Sequence, residues 1–369
     1  MVNLFCVKPI YNVSFQITYK NLKLSLYKSV NKHEMPDSPK IGVLLTNLGT
    51  PDAPTKAAVR PFLKELLSDP RVVGTPPPRW LWMLILNGII LNIRPKKSAK
   101  KYQSVWDTHG EGSPLLVISK KQKNAIEKAL NEQSPGGFSV ALGMRYGNPS
   151  IASALKILES ENCEKILVLP LYPQYASSST GSALDAVSDE IKKWQKVPEL
   201  GFINCYNEEG SYIQSLANSV KEFQEIHGVP DLLLMSYHGI PKSQFDKGDQ
   251  YPSHCSKTTY LLASKLNLHD DDYKMTFQSR VGVGEWVKDY TDETLKSLPS
   301  KGVKNVQVIC PGFSADCLET IEEIGEENRT YFMNSGGESY KYIPALNDRE
   351  DHINCLTQMI INKSEELKT

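Results

Sequence analysis

The stretch Leu232-Leu-Leu-Met-Ser-Tyr-His-Gly-Ile-Pro241 decides the fold. Its apolar start does not alternate, which is the pattern of a strand buried on both faces in a parallel sheet. Small and turn-forming residues follow at once. The same device stands earlier in the chain, where Leu45-Thr-Asn-Leu-Gly-Thr-Pro51 resembles Met235-Ser-Tyr-His-Gly-Ile-Pro241. Two further pairs echo in the same order. Met144-Arg-Tyr-Gly147 resembles Ser279-Arg-Val-Gly282, and Lys165-Ile-Leu-Val-Leu-Pro170 resembles Asn305-Val-Gln-Val-Ile-Cys-Pro311. The chain therefore reads as two similar halves.

Short apolar runs recur at Ile41–Leu45, Phe138–Leu142, Ile166–Leu169, Leu232–Met235, Met275–Phe277 and Val306–Ile309. Amphipathic segments near 116–131, 150–159, 182–195, 211–225 and 254–266 lie between them. Strands alternating with helices imply crossover units and parallel sheets. The expected architecture is α/β, with two similar doubly wound domains over 40–195 and 196–342 and a last helix within 343–369 packing back on the first. Residues 1–39 form an extension with no acid before Glu34, five lysines before Pro36 and no arginine. It lacks the apolar core of a secretory signal. It reads as a disordered segment, an arginine-free transit peptide, or residues upstream of a true start at Met35. Alternation over 13–26 suits a short hairpin.

Composition narrows the function. Hydrophobic residues make up 40% and charged residues 23%, as in a soluble globular protein. Lys+Arg and Asp+Glu balance at 42 each, without the basic excess of a nucleic-acid binder. The seven cysteines are scattered and form no Cys-x-x-Cys pair, which suits reduced thiols in the cytoplasm. The glycine-rich turns match no Walker or Gly-x-Gly-x-x-Gly fingerprint. Ser177-Ser-Ser-Thr180 lacks the Gly-x-Ser-x-Gly frame of a hydrolase nucleophile and reads as a helix start.

In open α/β sheets, ligands bind beyond the carboxyl ends of the strands. His238 stands there, and its counterpart in the first half is Leu48. The turn evidently forms without histidine, so the imidazole is free for chemistry. Asp316-Cys-Leu-Glu319 opens the helix after Val306–Ile309 with capping-box spacing, so capping competes with any chemical role for Glu319. Glu323 and Glu327 follow at i+4 and i+8, and no lysine interrupts 316–327. Like charges at that spacing cost stability, which points to a cation or proton path along one face. An acidic solvated face is the alternative. Imidazole and carboxylate together suit a divalent first-row metal such as Fe(II). Two ligands hold it weakly, as befits an ion that must be handed on.

These motifs resemble a known family. Leu45–Pro51, Leu169-Pro-Leu-Tyr-Pro-Gln-Tyr175, Ser236–Pro241, Phe277-Gln-Ser-Arg280 and Cys310-Pro-Gly-Phe-Ser-Ala-Asp-Cys-Leu-Glu-Thr320 are similar to signatures of ferrochelatases, nearest the bacterial protoporphyrin type, over roughly residues 40 to 365. The resemblance implies two Rossmann-like domains with a porphyrin cleft between them. It implies insertion of Fe(II) into protoporphyrin IX, the last step of haem synthesis. It assigns His238 as the catalytic base and metal ligand, and Glu319 as the second catalytic, metal-binding residue. The acidic path continues through Glu323 toward Glu327. Ser113, Arg145, Tyr146 and Trp286 match residues that bind the porphyrin. Some relatives carry an iron–sulfur cluster. Here the tail Asn362–Thr369 has no cysteine and Ser177 replaces one, so no cluster and no permanently bound cofactor are expected.

Close alternatives are a cobalt chelatase and a coproporphyrin chelatase. A non-catalytic tetrapyrrole carrier would share the cleft but needs neither base nor acidic stripe. The apolar segment from Trp80 to Ile93 is shorter than the roughly 20 residues of a membrane-spanning helix. It reads either as a buried helix or as an apolar lip at the cleft mouth. Pro76–Pro78 before it and Arg94, Lys96 and Lys97 after it favour the lip, with Trp80, Trp82 and Leu84 facing ligand or lipid, the basic residues near anionic headgroups, and weak peripheral contact at the inner membrane.

Overall fold

The computed structural model describes residues 40–73, 78–280 and 284–367. The readings made for 1–39 and for Pro76 and Pro77 fall outside these residues. Eight described strands form two sheets. The first holds β1 (Ile41–Thr50), β2 (Phe138–Gly147), β3 (Lys165–Pro170) and β4 (Glu199–Phe202) in the order β2-β1-β3-β4. The second holds β5 (Leu232–His238), β6 (Tyr273–Gln278), β7 (Asn305–Ile309) and β8 (Ser339–Ile343) in the order β6-β5-β7-β8. Every pairing is parallel. The second order repeats the first strand for strand, so the internal echoes of the sequence are a repeat of topology.

Non-alternation has its expected cause. Val43 and Leu45 point into one apolar cluster, and Leu44 points from the opposite face into another. In the second half, Leu233 and Met235 join the cluster of Val43 and Leu45, while Leu232 and Leu234 face a third. The inner faces of both sheets thus contribute to one continuous core. Ile126 and Leu130, Leu216 and Val220, Leu262, and Ile353, Leu356 and Ile360 enter it from four helices. Each such fully buried aliphatic side chain contributes roughly 1.5–3 kcal/mol. The last of these helices, Glu350–Glu366, packs back on the first half, where Lys165 donates to the carbonyl of Leu367.

The edge strands β4 and β8 went unread in the sequence. β4 is short and its first two residues are exposed, so it shows no apolar run. In β8, Ser-Tyr-Lys-Tyr-Ile buries only Tyr340 and Ile343. The segment after Pro78 is a helix (Arg79–Ile85), a π-helical turn (Leu86–Ile90) and a second helix (Leu91–Val105). Leu86 and Leu91 anchor it in a cluster with Val59, Phe62, Tyr102 and Tyr146.

Candidate active site

Strand order places the site. In each sheet the order reverses between the first and third strands, at β1/β3 and at β5/β7. Crevices open at such switch points beyond the carboxyl ends. His238 is the last residue of β5, and Glu319 lies in the segment leaving β7, its neighbour. Two residues far apart in sequence therefore flank one switch point.

Gln278, the last residue of β6 and the register partner of His238, reaches both. It is buried. Its Nε2 donates to the backbone carbonyl of Glu319 at 3.0 Å, and its Oε1 accepts from Ser236 Oγ at 2.8 Å. Its own carbonyl accepts the N–H of Gly239 at 2.8 Å. A Cβ at position 239 would lie 2.9 Å from that carbonyl oxygen and 3.1 Å from the Trp286 ring, so only glycine fits. Trp286, half-buried, lies over the turn that presents His238 and bridges to Pro241.

His238 Nδ1 lies 2.7 Å from the carbonyl oxygen of Gly239. A carbonyl only accepts, so Nδ1 carries the proton and Nε2 keeps a lone pair. The partly buried ring is therefore held in the tautomer of a base.

The capping box suggested by Asp316 and Glu319 does not form. The backbone N–H of Asp316 donates to Asn347 Oδ1 at 2.8 Å, so it is not free for the Glu319 side chain. The Asp316 carboxylate accepts from Thr320 Oγ1, Tyr342 Oη and Asn347 Nδ2 at 2.9, 2.6 and 2.7 Å. Glu319 instead opens a ten-residue π-helix, Glu319–Asn328. π-Turns are rare and frequent at functional sites.

Along this helix the carboxylates have distinct surroundings. Glu323 is pushed up to about 7, chiefly by burial, with Glu319 and Glu327 adding to the rise. Two hydrogen bonds from Ser279, N–H at 2.8 Å and Oγ at 2.5 Å, oppose it. Ser279 adopts a left-handed backbone, with φ of 65°, to offer both donors. At Glu327 burial is outweighed by Lys101 Nζ at 2.8 Å and Tyr331 Oη at 2.6 Å, and its pKa falls. Lys101 also reaches Glu322 at 2.8 Å. Among the described residues no group of three or more His, Cys, Asp or Glu side chains is placed to hold a metal ion.

The first half supplies the opposite wall. Leu318, beside Glu319, packs on the cluster of Tyr102 and Tyr146. Tyr102 lies beside Thr50 and Glu319 and is held well above its ordinary pKa, mainly by burial. Thr50 Oγ1 donates to Ser113 Oγ at 2.8 Å, which brings buried Ser113 into the same neighbourhood. Arg145 and Tyr146 converge on Asp69. Its Oδ2 accepts from Arg145 Nη2 at 2.6 Å, Tyr146 Oη at 2.9 Å and Ser182 Oγ at 2.5 Å. The Arg145 guanidinium also lies 4.6 Å from the Tyr146 ring centroid. Tyr146 is only 1% exposed, and Arg145 keeps about a quarter of its side chain open, at 23%. Tyr172, with a buried and unpartnered hydroxyl, stands near Tyr146, Arg145 and Cys317. Gly49 makes this packing possible: its φ is +103°, and a Cβ there would fall 1.8 Å from the carbonyl oxygen of Tyr146.

The sequence singled out His238, Glu319, Glu323, Glu327 and Trp286: Trp286 bridges to the turn after His238, Gln278 links that turn to Glu319, Ser279 holds Glu323, and Glu327 pairs with Lys101 and Tyr331. It did not single out Gln278, Lys101, Tyr102 or Asp69. Gln278 carried a signal, as a polar residue ending an apolar strand; the other three did not.

Known proteins resemble this chain in sequence and in fold. The ferrochelatase family model matches residues 40–364. The chain is 59% identical over 338 residues to the ferrochelatase of Hydrogenovibrio crunogenus, covering 92% of this chain and 89% of that one. It is 53% identical over 323 residues to the ferrochelatase of Idiomarina loihiensis, covering 88% of each. The fold resembles the sirohydrochlorin chelatase SirB of Bacillus subtilis subspecies spizizenii, solved with cobalt, at a TM-score of 0.50 and 9% identity over 88% of this chain and 96% of that one. A two-sheet α/β chain with these motifs, matched along nearly all its described length, belongs to the ferrochelatase family.

Proposed function

We propose that this family member inserts ferrous iron into protoporphyrin IX to give protohaem, releasing two protons, in the cytoplasm. The observation that carries this reading is that His238 ends β5 and Glu319 leaves its neighbour β7 at one switch point, with Gln278 of β6 hydrogen-bonded to both the turn after His238 and the Glu319 carbonyl. His238 Nε2 takes a pyrrole proton as general base. Glu319 receives the incoming cation and offsets the charge that moves with the protons. Glu323, whose pKa burial raises to about 7, passes protons or metal along the π-helix toward Glu327. Of the four residues expected at the ring, Arg145 and Trp286 keep surface open to hold it, and buried Ser113 and Tyr146 support the wall from behind. Iron is substrate here. Among the described residues no three Cys, His, Asp or Glu side chains are grouped to hold a metal, and Cys255, Cys310 and Cys317 are each buried, with thiol pKa values raised by that burial. We therefore propose that no iron–sulfur cluster is carried; protein purified without oxygen should contain no acid-labile sulfide, and stoichiometric sulfide would refute this.

Mixing the pure protein anaerobically with Fe(II) and either protoporphyrin IX or coproporphyrin, and following the visible spectrum, tests the substrate. Faster turnover of coproporphyrin would transfer the assignment to that ring. Spectra without metallation would leave a carrier.

The apolar lip suits peripheral contact with anionic lipid. Trp80 and Leu84, one helical turn apart, are 67% and 62% exposed, and Ile89 and Ile93 are also exposed. Trp82 faces inward, contrary to the reading of the sequence, because its Nε1 donates to the Leu67 carbonyl at 2.8 Å. No described helix is long and apolar enough to cross a membrane. Basic residues near an anionic surface contribute about 1 kcal/mol each, so binding is reversible and salt-sensitive.

A further inference from the structure

We infer that Gln278 is a positioning residue that sets the distance between His238 and Glu319. The inference rests on the proposed roles of those two residues. Gln278 touches both arms of the site through different atoms. Its backbone carbonyl accepts the N–H of Gly239, whose own carbonyl receives His238 Nδ1–H. Its side-chain Nε2 donates to the carbonyl of Glu319, at the first turn of the π-helix.

The amide is itself immobilised. Oε1 accepts from Ser236 Oγ at 2.8 Å, and Cys310 Sγ lies 3.5 Å away. Ser236 Oγ also meets Thr291 Oγ1 at 2.8 Å, and Thr291 Oγ1 lies 2.9 Å from Thr276 Oγ1. The network thus runs from β5 and β6 through one glutamine to a helix carbonyl. A first-turn carbonyl accepts one bond from its own helix and has a second lone pair to spare, so the Gln278 amide can fix that turn from outside without displacing a helical bond. Outer contacts of this kind typically change metal affinity or activity 10- to 100-fold when removed.

Two substitutions separate positioning from simple structure. Gln278→Glu keeps an acceptor for Ser236 but, ionised, has no donor for the Glu319 carbonyl. Gln278→Leu removes both. Porphyrin affinity (by tryptophan fluorescence quenching), melting temperature, kcat, and KM for Fe(II) and for porphyrin are measured on folded protein. Both variants should bind porphyrin with unchanged affinity. Both should lower kcat/KM for Fe(II) by about 10- to 100-fold, with Gln278→Glu losing activity despite its retained sheet contact. A purely structural role would lower the melting temperature and the folded fraction but leave both KM values and kcat per folded molecule unchanged. If Gln278→Leu does not fold, Ser236→Ala, which frees one end of the amide, should raise KM for Fe(II) severalfold with porphyrin affinity intact. Wild-type kinetics in folded Gln278→Glu would overturn the inference. Wild-type kinetics in Glu319→Gln as well would overturn the reading of the site itself.

Discussion

Replacing His238 by alanine removes an imidazole whose hydrogen bond, among the described residues, is to its own neighbour, Gly239. Stability should barely change, porphyrin should still bind, and kcat should fall by about 10²- to 10⁴-fold, the usual worth of a general base; a metallation assay beside a fluorescence titration reads both. Because the capping box is not formed, Glu319→Gln removes charge without removing a cap. It should lower metallation by about 100-fold with little change in melting temperature. Kinetics like wild type would leave Glu319 without a chemical role. Glu323 makes a linkage prediction. Its folded pKa, about 7, lies above the ordinary 4.5, so the folded state holds the extra proton between those values. Stability from this group is full below about 4.5 and is lost as pH rises through about 7. Glu323→Gln should remove that slope, so that the melting-temperature difference from wild type grows from pH 4.5 to 7 and then levels.

At the scale of elements, the π-helix and the helix Leu91–Val105 are tied by Lys101, which bonds Glu322 and Glu327 from across the chain. Lys101 is nearly half exposed, so the pair of bonds contributes no more than about 1 kcal/mol. Glu327 has its pKa lowered in the folded state, so this contribution is present above the unfolded carboxylate value and lost on acidification. Lys101→Ala should therefore cost a little stability at neutral pH and nothing at pH 3, as denaturant titrations at the two pH values would reveal. The lip behaves differently, since its outward residues touch nothing that folding needs. Trp80→Ser with Leu84→Ser should leave the melting temperature within a few degrees. The double variant should co-sediment poorly with anionic vesicles. Unchanged sedimentation would remove the lip from membrane contact; unfolding would make it core.

At the scale of the molecule, the apolar cluster common to both sheets makes the halves interdependent. Polar ties reinforce it: Ser314 Oγ donates to the Leu171 carbonyl at 2.8 Å, and Gln122 Nε2 reaches the carbonyls of Ser314 and Asn347 at 2.8 and 3.0 Å. Calorimetry should show one cooperative transition, and two resolved transitions would mean that the halves fold separately. What the sequence by itself determined is local or repetitive. Non-alternating runs marked six of the eight described strands, because burial on both faces acts on consecutive residues. The paired turns at Pro51 and Pro241 revealed the repeat, and the lone imidazole at position 238 stood out against Leu48. The acidic spacing from Glu319 was likewise visible along one helix. Tertiary structure alone decided the rest. The edge strands β4 and β8 are defined by a hydrogen-bonding neighbour more than by their own pattern. Asp316 chose Asn347 and Tyr342 over its near neighbour Glu319. Gln278, Tyr102, Asp69 and Lys101 acquired their places from partners distant in sequence. A carboxylate or amide has several acceptable hydrogen-bonding solutions, and which one it takes depends on groups that only the folded chain brings within 3 Å or so.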